Sequence, residues 1–141
     1  MKNKNAYIVS YKLAELLKKI GFNDDVNHVI FPDNSIDRRE SMTNWNADNE
    51  VYYSAPTLSQ AIDWIYDTYQ IFIEIDYIII PYNYGKKFIY MVIDTDDDSF
   101  GGNVIFRSEE PFDTRYEAME NAIHKLANKL NPMKSMEDVK N

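Results

Sequence analysis

Four carboxylates crowd into five consecutive positions of this chain, Asp94, Asp96, Asp97 and Asp98, with Thr95 between the first two. Asp94, Asp96 and Asp98 alternate as the first ligands of an EF-hand calcium loop do, where hard oxygens surround a hard cation. The pattern then breaks, because Ser99 stands where that loop needs glycine and Ile105 where it needs a bidentate glutamate. A solvated, acidic hairpin loop accounts for the same residues. Glu74 and Asp76 are the second candidate pair, two residues apart in an apolar run and so about 7 Å apart on one face of a strand. That spacing suits paired carboxylate chemistry or a metal-dependent nuclease centre. The lysine such a nuclease needs is absent, however, since its position is Ile78 and no lysine occurs from 40 to 85. The bland alternative is a polar stripe on the wet side of a sheet.

The remaining chemistry is thinner. His28 and His124 are the only histidines, and two histidines without cysteine do not make a zinc site, although Glu120 lies one helical turn before His124. There is no Gly-x-Ser-x-Gly, neither Ser54 nor Ser99 has a histidine near it in sequence, and Gly21, Gly85, Gly101 and Gly102 form no phosphate-binding loop. No residue is assigned a catalytic or metal-ligating role, and no cofactor is expected.

Charge and aromatic content say more. Lys2, Lys4, Lys12, Lys18 and Lys19 against Glu15 make residues 1–20 net +4, so a total of −8 leaves −12 for the other 121 residues. No basic residue lies between Arg39 and Lys86, a stretch holding Glu40, Asp48, Glu50, Asp63, Asp67, Glu74 and Asp76. Such a field repels phosphate backbones and attracts basic partners. The same stretch holds seven of the eleven tyrosines, Tyr52, Tyr53, Tyr66, Tyr69, Tyr77, Tyr82 and Tyr84. Tyrosine is both a favoured strand residue and a good contact residue. Tyr82 and Tyr84 sit in a turn and are expected to be exposed. The absence of cysteine excludes disulfides, thiol catalysis and Cys-ligated metal and fits a reducing compartment. The N-terminus lacks a signal-like apolar run, and the longest apolar run, 71–81, is interrupted by Glu74 and Asp76 and too short to span a bilayer. The expectation is a cytoplasmic, soluble protein.

The elements that position these residues follow from periodicity. Ser10 caps a first helix with Leu13, Leu16, Leu17 and Ile20 on its apolar stripe, ended by Gly21 and a Schellman turn into Phe22. Residues 26–31 read as a short strand closed by the turn Pro32-Asp33-Asn34-Ser35. Residues 33–49 read as a long polar loop whose one large apolar residue is Trp45. A short strand at 50–54 precedes a helix begun by a capping box of Thr57 and Gln60. Its stripe is Leu58, Ala61, Ile62, Ile65 and Tyr69. Residues 71–93 form a hairpin, with Lys87–Ile93 apolar on both faces and therefore central. Asn103–Arg107 is a further strand. A last helix, capped by Asp113 or by Thr114 with Glu117, runs to Asn131-Pro132. With 141 residues and 45% hydrophobic content, this predicts a single α+β domain over 1–132 with a flexible tail over 133–141. The domain has one antiparallel sheet of about four to five strands and three helices packed mainly on one face.

The segment Tyr53-Ser-Ala-Pro-Thr-Leu-Ser-Gln-Ala-Ile-Asp-Trp-Ile-Tyr, followed by Ile71-Phe-Ile-Glu-Ile, resembles a pattern in small uncharacterised proteins carried by gut bacteria and their prophages. The opening Val9–Phe22 and the closing Phe112–Ile123 are similar too, so the likeness spans most of the chain. Its motifs are caps and core stripes. The resemblance implies a mobile-element setting and lends no activity and no functional residue.

Together these readings lead to a non-enzymatic interaction protein that binds a host or element protein through an acidic, tyrosine-rich surface. The residues assigned to it are Asp94, Asp96, Asp97, Asp98, Tyr82, Tyr84, Glu74, Asp76 and Trp45. In its sharper form the surface mimics a nucleic acid and the partner is a basic nucleic-acid-binding protein. No direct nucleic-acid or membrane contact is expected, and a second copy of the chain is the other candidate partner through an exposed edge strand. The alternative function is a small carboxylate-based enzyme, or a domain binding a divalent metal or ligand, around Glu74, Asp76 and the 94–98 turn.

Overall fold

The computed structural model describes residues 7–47, 51–80, 85–96 and 102–140, with backbone alone at 80, 86 and 132–140. The first helix, α1 (Tyr11–Lys19), forms where the leucine spacing predicts it. Ser10 Oγ accepts the Leu13 N–H at 3.2 Å, and Leu13, Ala14 and Leu17 are buried. It ends in a complete Schellman turn: the Phe22 N–H reaches the Leu17 carbonyl, the Gly21 N–H reaches that of Lys18, and Gly21 sits at φ 102°.

Strand β1 (Val26–Ile30) leads into the turn at 32–35, where Asp33 Oδ1 accepts both the N–H and the hydroxyl of Ser35. Those bonds hold the Asp33 carboxyl below its ordinary pKa. Asn34 takes the left-handed conformation at φ 67°, which asparagine tolerates. The chain then returns as β2 (Ile36–Thr43), antiparallel to β1. This corrects the expected long loop over 33–49. The other edge of β1 is taken by the two-residue β3 (Tyr53–Ser54), giving the order β2-β1-β3.

Helix α2 (Leu58–Tyr69) is capped by Thr57, whose Oγ1 accepts the Gln60 N–H at 3.1 Å. Gln60 does not complete the reciprocal box: its side-chain amide donates to the Asp25 carbonyl. Strands β4 (Ile71–Ile80), β5 (Gly85–Asp94) and β6 (Asn103–Arg107) form a second antiparallel sheet in the order β4-β5-β6, with β5 central as its double-sided apolarity predicts. Helix α3 (Arg115–Lys140) opens with Thr114 Oγ1 accepting the Glu117 N–H and continues through Asn131-Pro132, where a stop was expected.

Among the described residues the chain is therefore α+β with three helices, but the expected single sheet of four to five strands is two separate three-stranded sheets. Among the described residues β1 pairs with β2 and β3 on its two edges, and β4, β5 and β6 pair only with one another. Two compact units result, residues 1–60 with 124–141, and residues 61–123. In the first, Val9, Leu13, Leu17, Ile20, Phe22, Val29, Ile30, Leu58 and Leu126 are buried. In the second, Ala61, Trp64, Ile65, Ile71, Ile73, Tyr90, Val92, Met119 and Ile123 are buried, and the Tyr90 hydroxyl donates to Asn121 Oδ1 at 2.7 Å.

Two left-handed positions give opposite predictions. Gly102 sits at φ +84°, and a Cβ there would lie 2.8 Å from the Asp94 carbonyl oxygen and from Ile93 Cγ2. Gly102→Ala should cost about 2 kcal/mol or more from strain and overpacking. Gln70, at φ 58°, is the non-glycine C-terminal cap of α2, and Gln70→Gly should stabilise by up to about 1 kcal/mol. Denaturant midpoints test both; an unchanged midpoint for Gly102→Ala sinks the close-approach reading.

A pH dependence follows from His28, half-buried on β1. Burial first, and then the positive charge of its cross-strand partner Arg38, holds the imidazole below its ordinary 6.5. The unfolded chain thus takes up a proton that the folded chain resists. This component of stability is full above pH 6.5 and is lost as the pH falls from 6.5 through the folded value. Stability curves at pH 7.5 and 5.5 should show a smaller drop for His28→Gln than for the native chain; equal drops would refute it.

Candidate functional site

The sheet β4-β5-β6 has one face in the core, where Ile71, Ile73, Tyr90 and Val92 are buried, and an opposite face with no fully buried residue among Phe72, Glu74, Asp76, Ile78, Ile89, Met91 and Ile93. Direct pairing places Glu74 beside Met91 and Asp76 beside Ile89. Phe72, Glu74 and Asp76 therefore follow one another along this open face, Glu74 half-buried and Asp76 exposed.

At the Phe72 end lies a cleft of about 490 Å³, lined by Ile62, Asp63, Tyr66, Asp67, Phe72 and Thr95. Its construction is local. Asp63, Tyr66 and Asp67 lie on adjacent turns of α2, and the left-handed Gln70 turns the chain directly into β4, which brings Phe72 against Tyr66. The two rings meet edge to face, centroids 6.3 Å apart and planes at 85°, with each residue about two-fifths exposed (Tyr66 41%, Phe72 42%). Thr95 closes the other side: its N–H and its hydroxyl both donate to the Gln70 carbonyl, at 2.9 and 2.7 Å.

Both aspartates are placed against local electrostatic preference. They stand at i and i+4, where like charges repel by about 0.2–0.5 kcal/mol. Asp67 also lies in the last turn of α2, at the negative end of the helix dipole, and that turn carries no basic residue. Neither joins an ion pair among the described residues. Two carboxylates beside an aromatic pair and an isoleucine favour an organic cation, with charge opposite the acids and an aliphatic stem against the rings. Among the described residues, no group of three or more His, Asp or Glu side chains could hold a metal ion.

The residues singled out from sequence fall in three places. Glu74 and Asp76 share the open sheet face with Phe72. Asp94 ends β5 opposite Ile71, and its Oδ1 accepts the Asp96 N–H at 3.0 Å, so this carboxylate shapes the turn beside Thr95. Asp97, Asp98, Tyr82 and Tyr84 lie outside the described residues. Trp45 belongs to the other unit, half-buried, where its indole N–H donates to the Val26 carbonyl at 2.8 Å. There the Arg39 guanidinium lies over the rings of Trp45 and Tyr52, at 5.6 and 5.2 Å. Its contacts are those of a residue that fastens β1 to the segment after β2.

Sequence reasoning missed the cleft. Asp63 and Asp67 read as the solvated face of a helix and Tyr66 as one of many tyrosines. A signal was present in two acids one turn apart beside an aromatic near a helix end, with Phe72 just beyond. Only Gln70 in the left-handed region brings that phenylalanine back onto the helix.

No protein-family model matches the chain, and neither a search of curated proteins nor one of solved structures finds a match. Among the described residues, no helix is long and apolar enough to cross a membrane.

The Thr95 anchor is testable by itself. Thr95→Val keeps the shape and the backbone bond while deleting the hydroxyl donor, and should cost about 0.5–1.5 kcal/mol. Hydrogen exchange at the Gln70 and Phe72 amides should rise with it; unchanged protection and an unchanged denaturant midpoint would remove Thr95 as the anchor.

Proposed function

We propose that this chain is a non-enzymatic binding module that takes a basic segment of a protein partner, with a lysine or arginine side chain of that segment entering the cleft on the 61–123 unit. The observation that carries the reading is the placement of Asp63 and Asp67. A like-charge pair one helical turn apart, with Asp67 in the last turn and neither acid in an ion pair among the described residues, reduces the stability of α2, and the two acids flank exposed aromatic rings that suit a cation. Glu74 and Asp76 extend the acidic surface along the open sheet face for neighbouring basic residues. The stretch from 40 to 85, free of any basic residue, supplies no competing internal cation from its own sequence. A host or mobile-element protein that binds nucleic acid is the partner this chemistry favours, since its binding surface is already basic. Complementarity of this kind acts most strongly on the association rate, and salt weakens it.

The probe is a nine-residue peptide with one central arginine and two flanking lysines, compared with its citrulline counterpart. Titration calorimetry should show binding of the arginine peptide that weakens as salt rises and is lost with citrulline. Asp67→Lys should abolish it while raising the denaturant midpoint, because the change removes a like-charge pair and suits the helix dipole, together about 0.5–1 kcal/mol. Loss of binding in a stabilised protein cannot be misfolding. Equal binding of both peptides, or binding unaffected by Asp67→Lys, overturns the proposal.

A further inference from the structure

Beyond the cleft, the outer edge of β4 presents an unused row of backbone groups. The Thr95 N–H to Gln70 carbonyl bond marks residues 70 and 95 as a closely spaced pair of the antiparallel ladder. Alternation then makes 72, 74, 76 and 78 the residues bonded to β5 and turns the N–H and C=O of 71, 73, 75, 77 and 79 outward. The far side of β5 agrees with this phase. Tyr90, opposite Ile75, exchanges bonds with Ser108, and Phe88, opposite Tyr77, with Phe112. Among the described residues nothing takes up the outward groups of β4.

Apart from the charges of Glu74 and Asp76 near its middle, this edge lacks the devices that usually block strand addition. It is ten residues long, in unbroken register with β5, and carries no proline, lysine or bulge. Its last exposed residues are apolar, with Tyr77 63% and Ile79 70% accessible.

We infer that β4 pairs antiparallel with β4 of a second copy of this chain, about a two-fold axis at Tyr77. A two-fold perpendicular to the sheet preserves faces, so each residue must meet one of equal parity, and the axis must pass through a residue. Axes through Glu74, Ile75 or Asp76 set Glu74 on Glu74, Glu74 on Asp76 or Asp76 on Asp76, like-charge contacts that destabilise a pair. The axis at Tyr77 sets Tyr77 on Tyr77, Ile75 on Ile79 and Asp76 on Ile78. It uses the outward groups of 75, 77 and 79 in each copy and covers the exposed apolar residues Tyr77 and Ile79. The row Ile75, Tyr77, Ile79 is thus complementary to itself, as an isologous interface requires. This inference rests on the edge of β4 and not on the cleft.

Sedimentation velocity over a concentration series should show a monomer–dimer equilibrium that Tyr77→Lys shifts to monomer while leaving the circular dichroism spectrum unchanged. The chain has no cysteine, so Phe72→Cys gives a single spin-label site. Ten residues separate Phe72 from its mate in this register, about 33 Å at strand rise, against about 20 Å for an axis at Ile75. A chain monomeric at all concentrations, a dimer indifferent to Tyr77→Lys, or a label separation near 20 Å overturns the proposal.

Discussion

The carbonyl of Gln70 accepts two hydrogen bonds from Thr95, and the geometry of the 61–123 unit depends on that junction. A helix that ends in the left-handed conformation reverses its chain within one residue, so β4 starts directly beneath the last turn of α2. The two bonds from Thr95 then fix the start of β4 to the end of β5, its partner along the whole hairpin. Much of the cleft's lining gathers at this point, with Tyr66 and Asp67 before it, Phe72 after it and Thr95 across from it, while Ile62 and Asp63 lie about two turns back along α2. Strain at a non-glycine φ of 58° is sustained because the carbonyl it exposes is doubly bonded.

The other unit is organised by a different constraint, the saturation of β1. Its residues His28, Val29 and Ile30 pair with Arg38, Asp37 and Ile36 on one side, and Val29 and Ile30 pair with Ser54 and Tyr53 on the other. β2 itself is almost wholly exposed, so apolar burial does not hold it. Backbone bonds and the turn at 32–35 do, together with Arg39, which lies over Trp45 and Tyr52 and near Asp37. Asn46 adds a bridge, donating to the Phe22 carbonyl and accepting from the Ser54 N–H.

These two constraints explain what could be read from the sequence. Caps and stripes were legible because they are local: Ser10, Gly21, Thr57 and Thr114 act within four residues of themselves, and the hairpin 71–93 announces itself by unbroken apolar alternation. β2 was illegible because Ile36–Thr43 has no hydrophobic period. A strand held by its backbone and a cation over aromatic rings leaves no pattern in hydropathy. The division into two sheets was hidden for a related reason, since edge occupancy is a property of pairings and not of any segment. Pro132 misled in the opposite direction, its local cost as a helix breaker being overridden in α3. Of the site, Glu74 and Asp76 were legible from alternation, whereas the cleft required the conformation of Gln70, a residue with no intrinsic preference for it.

The acids of this chain sort by what the fold asks of them. Glu15 pairs with Lys19, Asp37 with Arg39 and Asp113 with Lys87, while Asp33 and Asp94 bind the backbone of their own turns. Each of these adds something to local structure. Asp63 and Asp67 add nothing of that kind and reduce the stability of the helix that carries them. A fold consistent across its levels places such violations where function requires them. On the proposed binding function, the acidity that counts is then not the total of −8 but the charges at Asp63 and Asp67, which join no ion pair among the described residues.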